Sequence, residues 1–227
     1  MPNIPHNLRT IGAEIAESCK AVNRAFSHVQ LLAVSKRHSA DAIKEAYSAG
    51  QRAFGENYVQ ELFEKATTLD SLEIEWHFIG ALQSNKTKDI AATASWVHTI
   101  DRLKIARRLS EQRPAELPPL NVCLQVNVNN EASKSGASLD ELEGLAEAVA
   151  QLPNIRLRGL MAIPEASQDE ATQRANFALL AAAKDKLNAK GHALDTLSMG
   201  MSGDMPAAIA EGATIVRIGT AIFGTRT

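Results

Sequence analysis

An unbroken alternation of two kinds of segment constrains this chain more than any other feature. Short runs rich in β-branched and apolar residues recur at Leu31–Lys36, Arg52–Asn57, Glu75–Gly80, Trp96–Asp101, Leu120–Val128, Ile155–Ile163, Thr196–Met201 and Thr214–Phe223. Helix-like segments separate every neighbouring pair, and an amphipathic segment at about Leu8–Ser27 precedes the first run. Helix signals stand where the alternation needs them. Ser39 precedes Ala40-Asp41, Ser138 precedes Leu139-Asp140-Glu141, and Gly50 and Gly191 fall at ends where a left-handed residue is useful.

Eight strands in strict alternation with helices predict a parallel sheet. A single α/β domain, a (β/α)8 TIM-type barrel with an extra N-terminal helix, is the leading architecture, and a doubly wound open sheet is the alternative. No Pro/Gly/Ser-rich linker, charge block or low-complexity stretch interrupts the pattern, so residues 1–227 are expected to form one domain. A chain of 227 residues is long enough for this, since surface scaling lets roughly 70% of its surface be buried.

Charge and motif content remove several function classes. With 24 Lys and Arg against 26 Asp and Glu, the formal charge of −2 leaves no electrostatic case for a nucleic-acid or membrane-surface partner. No apolar run approaches the roughly 18 residues of a membrane span, and Met1–Arg9 lacks the charged-then-apolar order of a signal peptide, so a cytoplasmic location is expected. Cys19 and Cys123 form no CxxC or Cys/His cluster and read as packing thiols. HExxH, GxxxxGK[ST] and GxGxxG are all missing, and no metal site is expected.

In either architecture the site belongs at the carboxyl ends of the strands. Lys36 closes the run Leu31-Leu32-Ala33-Val34-Ser35-Lys36, and alternation puts it on the side of Leu32 and Val34. If that side faces inward, the amine enters the barrel mouth, where a lysine can attack a carbonyl. At a reference pKa of about 10.4 only about one lysine in 2,500 is neutral at pH 7, so such work needs a shifted pKa or a standing aldehyde partner.

A complementary set of residues stands at the other end of the chain. Ser198-Met199-Gly200-Met201-Ser202-Gly203-Asp204 runs from a strand into a helix, with Ser202 in the position of the N-cap. Val216-Arg217-Ile218-Gly219-Thr220 offers a glycine that admits an anion to the backbone, a hydroxyl donor, and a guanidinium two positions earlier. Helix N-termini suit phosphates, and in barrels the loops after strands seven and eight are the usual phosphate cup. An inward lysine facing a phosphate cup describes what pyridoxal 5′-phosphate needs: an amine for its aldehyde and an anchor for its phosphate.

Four blocks then carry a resemblance. Leu32-Ala33-Val34-Ser35-Lys36, Phe54-Gly55-Glu56-Asn57-Tyr58-Val59-Gln60-Glu61, Trp76 through Lys86, and Val216-Arg217-Ile218-Gly219-Thr220 resemble, in that order, the pyridoxal-phosphate homeostasis proteins. The resemblance implies a barrel of the alanine-racemase N-terminal-domain type, with Lys36 carrying the cofactor as an internal aldimine. It implies that Ser202, Gly219 and Thr220 hold the phosphate, that Arg217 faces the pyridine nitrogen and that Asn57 lies beside the ring. A guanidinium only donates, so it leaves that nitrogen unprotonated and the ring a weaker electron sink.

The function so implied is buffering and delivery of the cofactor without catalysis of its own, with cofactor-dependent apoenzymes as recipients. With its sheet closed and no apolar surface run demanding a partner, the chain is expected to be a monomer. An amino-acid racemase or lyase is the alternative, because racemases of this barrel type share the lysine and phosphate pattern. Such a racemase takes a tyrosine from a second, β-rich domain; here few residues follow the last strand, and the tyrosines are Tyr47 and Tyr58. A hydrolase reading of Gly200-Met201-Ser202-Gly203-Asp204 fails because the final histidine, His192, precedes the serine. His77 and His98 are expected to be hydrogen-bonded structural residues, and Met161 an apolar wall at the mouth.

Overall fold

The computed structural model describes residues 2–129 and 135–225. Its strands are β1 (Gln30–Val34), β2 (Ala53–Glu56), β3 (Glu75–Phe78), β4 (Trp96–Ile100), β5 (Leu120–Gln125), β6 (Ile155–Met161), β7 (Thr196–Ser198) and β8 (Ile215–Ile218). Each pairs in parallel with its sequence neighbours, and β8 pairs with β1 through Gln30↔Ile215, Leu31↔Val216, Leu32↔Arg217 and Ala33↔Ile218. The sheet therefore closes on itself, and the open-sheet alternative is excluded.

The helices are α1 (Ile4–Ala21), α2 (Ala40–Ser48), α3 (Val59–Thr68), α4 (Thr87–Thr93), α5 (Leu103–Gln112), α6 (Leu142–Ala150), α7 (Glu170–Ala189), α8 (Met205–Ala210) and α9 (Thr220–Phe223). Their apolar faces meet the outward side chains of the strands, as Ile43 and Ala46 of α2 and Leu62 of α3 do in the main core. Local chemistry sets their starts: Ser39 Oγ accepts from Ala42 N at 3.3 Å, and Asp169 caps α7 by accepting from Thr172 N at 2.9 Å. Among the described residues no helix is long and apolar enough to cross a membrane, and Cys19 and Cys123 are buried free thiols.

The extra helix has a definite structural place. Because α8 and α9 are only six and four residues long, α1 completes the outer layer beside them, packing on α8, α9 and α2. Arg24, just past its end, donates to Ile209 O at 2.6 Å and Ala213 O at 2.8 Å. This helix runs from Ile4 to Ala21 rather than from about Leu8 to Ser27. Asn3 caps it with a proline in the first turn, and Asn23, at φ +53°, takes the chain out of helical geometry.

Two other boundaries move for related reasons. The last strand stops at Ile218, and Ala221-Ile222-Phe223, read as strand from its apolar run, is helical, with Ile222 and Phe223 buried. Short apolar runs do not distinguish the two states. At the amino end of α8 the cap is Asp204, two residues beyond Ser202, and its Oδ1 accepts from Met201 N at 2.6 Å. Ser202 lies in the turn before the helix.

Close backbone approach makes one glycine indispensable at the mouth. A Cβ on Gly80 would stand 1.9 Å from Asn57 O, and Gly80 O itself accepts from Thr99 Oγ1 at 2.6 Å. Neither side can give way without moving the end of β2 or β4. Gly80→Ala is expected to cost roughly 2 kcal/mol or more in urea unfolding; a loss within about 0.5 kcal/mol would show that the Asn57 backbone is free to shift.

Candidate functional site

The carboxyl ends of the strands surround a cavity of about 200 Å³ lined by Val34, Lys36, His38, Asn57, Ile79, Ile163, Met201, Ser202, Arg217, Gly219 and Thr220. All six residues singled out from the sequence as binding residues (Lys36, Asn57, Ser202, Arg217, Gly219 and Thr220) are among them. Closure of β8 onto β1 brings them together from opposite ends of the chain. Lys36 lies in the turn two residues beyond β1, yet it still shares a face with Val34, as the alternation required.

That turn is held from below by a buried ionic cluster that the sequence did not advertise. Lys65 Nζ of α3 donates to Ser35 O at 2.9 Å, Glu56 Oε1 at 2.8 Å and Glu61 Oε2 at 2.9 Å, which uses all three ammonium hydrogens. Ser35 Oγ donates to Glu56 Oε1 at 2.6 Å, and Arg37 N donates to Glu61 Oε2 at 2.7 Å. The residues on either side of Lys36 are thus pinned, with Arg37 in the left-handed region at φ +62°. Burial pushes the Glu56 carboxyl up, against the pull of Lys65 and Ser35. Glu61 goes the other way: its partial burial is outweighed by the Arg37 N–H and by Lys65, which hold it below the usual carboxylate range.

Arg217 reaches the cavity from inside the barrel. It is 5% exposed, donates through Nη1 to Ser198 Oγ at 2.9 Å and through Nη2 to Ala162 O at 3.0 Å, and has no ion pair among the described residues. Burial pushes its guanidinium down to about 10, which leaves it protonated at neutral pH. The lining contains no carboxylate, so the cavity carries the cationic side chains Lys36 and Arg217 beside the hydroxyls of Ser202 and Thr220. Such a surface suits an anion. Asn57 Oδ1, buried in its wall, has no hydrogen-bond partner among the described residues.

The rim also holds residues that the sequence reading passed over. His38 stacks on Phe223 with ring centroids 5.0 Å apart, and Ile79, Ile163 and Met201 supply apolar wall. Met161, expected at the mouth, lies one layer deeper, fully buried with Trp96 and Cys123; Ile163, two residues on and on the same face, takes the place assigned to it. His77 and His98 are buried and hydrogen-bonded to each other at 2.9 Å inside the barrel.

With this geometry in hand, comparison with known proteins is specific. The sequence profile described as "Alanine racemase, N-terminal domain" matches residues 12–227. The chain is 59% identical over 226 residues to a protein of Pseudomonas aeruginosa named pyridoxal phosphate homeostasis protein, covering 100% of this chain and 97% of that one. It is similar to the structure of PipY of Synechococcus elongatus with PLP bound, with a TM-score of 0.81, 38% identity, and coverage of 92% of this chain and 100% of that one. An alanine racemase of Corynebacterium glutamicum shares the fold at a TM-score of 0.72 and 18% identity, with 96% of this chain matched to 59% of that one.

The cluster beneath Lys36 gives a stability prediction. Lys65→Met leaves Glu56 buried without its cation and should destabilise the protein by about 3 kcal/mol in urea unfolding. Adding Glu56→Leu to Lys65→Met should recover a large part of that loss. A single variant within about 1 kcal/mol of the parent would show that the ammonium does not carry the cluster.

Proposed function

The chain belongs to the alanine racemase N-terminal domain family and, within it, to the pyridoxal phosphate homeostasis proteins, and from that membership we propose that it binds pyridoxal 5′-phosphate at the barrel mouth and buffers it for delivery to other proteins. The observation that carries the reading is the single cavity in which an amine, a guanidinium and two hydroxyls converge with no carboxylate among them. The donor set fits the group. Cationic and hydroxyl donors match a phosphate ester, and the Asn57 oxygen, which has no partner among the described residues, would accept from a ring hydroxyl.

Bound in this cavity, the cofactor supplies an aldehyde that condenses reversibly with an amine, with loss of water, and can be passed to another amine by exchange. Lys36 provides the amine, and the pinning of Ser35 and Arg37 holds it at the mouth. Ser202 and Thr220 bind the phosphate through their hydroxyls and Gly219 through its backbone. Arg217 donates to the ring nitrogen and, being a donor only, leaves it unprotonated, which favours holding the cofactor over carbanion chemistry.

The tyrosine that a racemase of this barrel type uses has no counterpart among the residues that line this cavity. Tyr58 is exposed and accepts from Arg37 Nη2 at 3.1 Å, and Tyr47 lies beneath Arg52, whose guanidinium is 3.8 Å from its ring; neither lines the site. In this reading the protein works as a cytoplasmic monomer, consistent with two unpaired thiols, and its recipients are cofactor-dependent apoenzymes.

Saturation with pyridoxal 5′-phosphate should give the purified protein a visible absorption band that borohydride converts to a stable adduct on the Lys36 peptide. Lys36→Ala should lose the band, and the wild-type chromophore should move to an added apoenzyme. A saturated wild-type protein without a band sinks the binding claim. Steady interconversion of amino-acid enantiomers, abolished in Lys36→Ala, would replace buffering with catalysis.

A further inference from the structure

A hydrogen-bonded chain crosses the barrel interior and ends on the arginine of the site. At the amino end of β3, Glu75 Oε1 accepts from Gln30 Nε2 at 2.9 Å and lies 2.7 Å from His77 Nε2. His77 Nδ1 is 2.9 Å from His98 Nε2, and His98 Nδ1 is 2.7 Å from Ser198 Oγ, which accepts from Arg217 Nη1 at 2.9 Å. Four strands contribute: β3, β4, β7 and β8. His77, His98 and Ser198 are fully buried, whereas the Glu75 side chain is 40% exposed.

The two ends of this chain fix its direction. A guanidinium only donates and a carboxylate only accepts. Ser198 therefore takes a hydrogen bond from Arg217 and gives its own hydrogen to His98 Nδ1. His98 then carries its proton on Nε2 and donates to His77 Nδ1, and His77 carries its proton on Nε2 and donates to Glu75. One pattern satisfies all four links with both imidazoles neutral, and burial holds both rings in the neutral form. Trp96 stacks on His77 at 5.5 Å with the planes 5° apart, which keeps that ring aligned.

Reversal of the chain is unfavourable while Glu75 is charged. If Glu75 were neutral and donating, His98 would donate to Ser198, which would then receive two hydrogen bonds with no acceptor in the chain for its own hydrogen. Other charges near the chain include Arg158, 5.0 Å over the Trp96 ring and paired with Asp195 at 2.7 Å, Asp204 near Arg217, and Lys36, which lines the same cavity as Arg217.

We propose that Glu75, His77, His98 and Ser198 form a positioning relay that holds Arg217 in one donor orientation toward the cofactor ring and ties the state of bound pyridoxal phosphate to the carboxylate at the opposite end of the barrel. The cofactor half of this statement rests on the function proposed above; the proton pattern does not.

Two measurements test it. Nitrogen NMR of the histidine-labelled protein without ligand at pH 7 should show both His77 and His98 neutral, protonated on Nε2 and bare on Nδ1. Either ring as the opposite tautomer or as imidazolium overturns the relay. In the loaded protein, Glu75→Gln should move the acid–base midpoint of the visible band downward by roughly half a unit, about a threefold change in that equilibrium. Ser198→Ala cuts the chain beside Arg217, so adding Glu75→Gln to it should produce no further shift. An equal shift in both backgrounds means that the charge acts through space and overturns the relay. A wild-type protein with no band overturns the cofactor reading alone, because the ring nitrogens report the relay without any ligand.

Discussion

Pairing of the last strand with the first is the constraint on which everything else rests. Once Leu32 sits opposite Arg217 and Ala33 opposite Ile218, the turn after β1 and the turn after β8 become neighbours, and Lys36 meets Gly219 and Thr220 across one cavity. The seam needs cover on its outer face. With α9 reduced to one turn, α1 packs there, and Arg24 fastens the end of that helix to the carbonyls of Ile209 and Ala213. An N-terminal segment outside the eight repeating units is thereby part of the closure.

A barrel interior is ordinarily filled by layers of branched aliphatic side chains. Here much of it is polar: two histidines, a serine and an arginine occupy positions on β3, β4, β7 and β8 that face inward. Buried polar groups persist only when their hydrogen bonds are satisfied, and here each is bonded to the next. The cluster under Lys36 follows that rule only in part: one ammonium serves two carboxylates and a carbonyl, while Glu56 Oε2 has no hydrogen-bond partner among the described residues. The two networks differ in placement: one steadies the turn that carries the amine, and the other steadies the guanidinium that faces it.

Much of this was legible because period and punctuation are local. Eight apolar runs separated by helical segments give the barrel, and alternation through Leu32, Val34 and Lys36 aims the lysine correctly although the strand ends before it. The misses have physical causes. Ile222 and Phe223 are buried in a helix, which a three-residue apolar run cannot distinguish from a strand. Met161 and Ile163 share a face one layer apart, and only the depth of the barrel says which reaches the mouth. Glu56 and Lys65 come from different elements, so their pairing depends on how α3 lies over β2, and no spacing in the chain encodes it. His77 and His98 were expected to be hydrogen-bonded; that they continue to Arg217 follows from strand order.

The claim at the centre of this account is that one cavity holds both ends of the cofactor. A crystal structure of the protein grown with pyridoxal 5′-phosphate tests it most directly. The account predicts continuous density from Lys36 Nζ to the cofactor, its phosphate against Ser202, Gly219 and Thr220, and Arg217 at the ring nitrogen. Attachment to a different lysine, or a phosphate held away from those three residues, would contradict it.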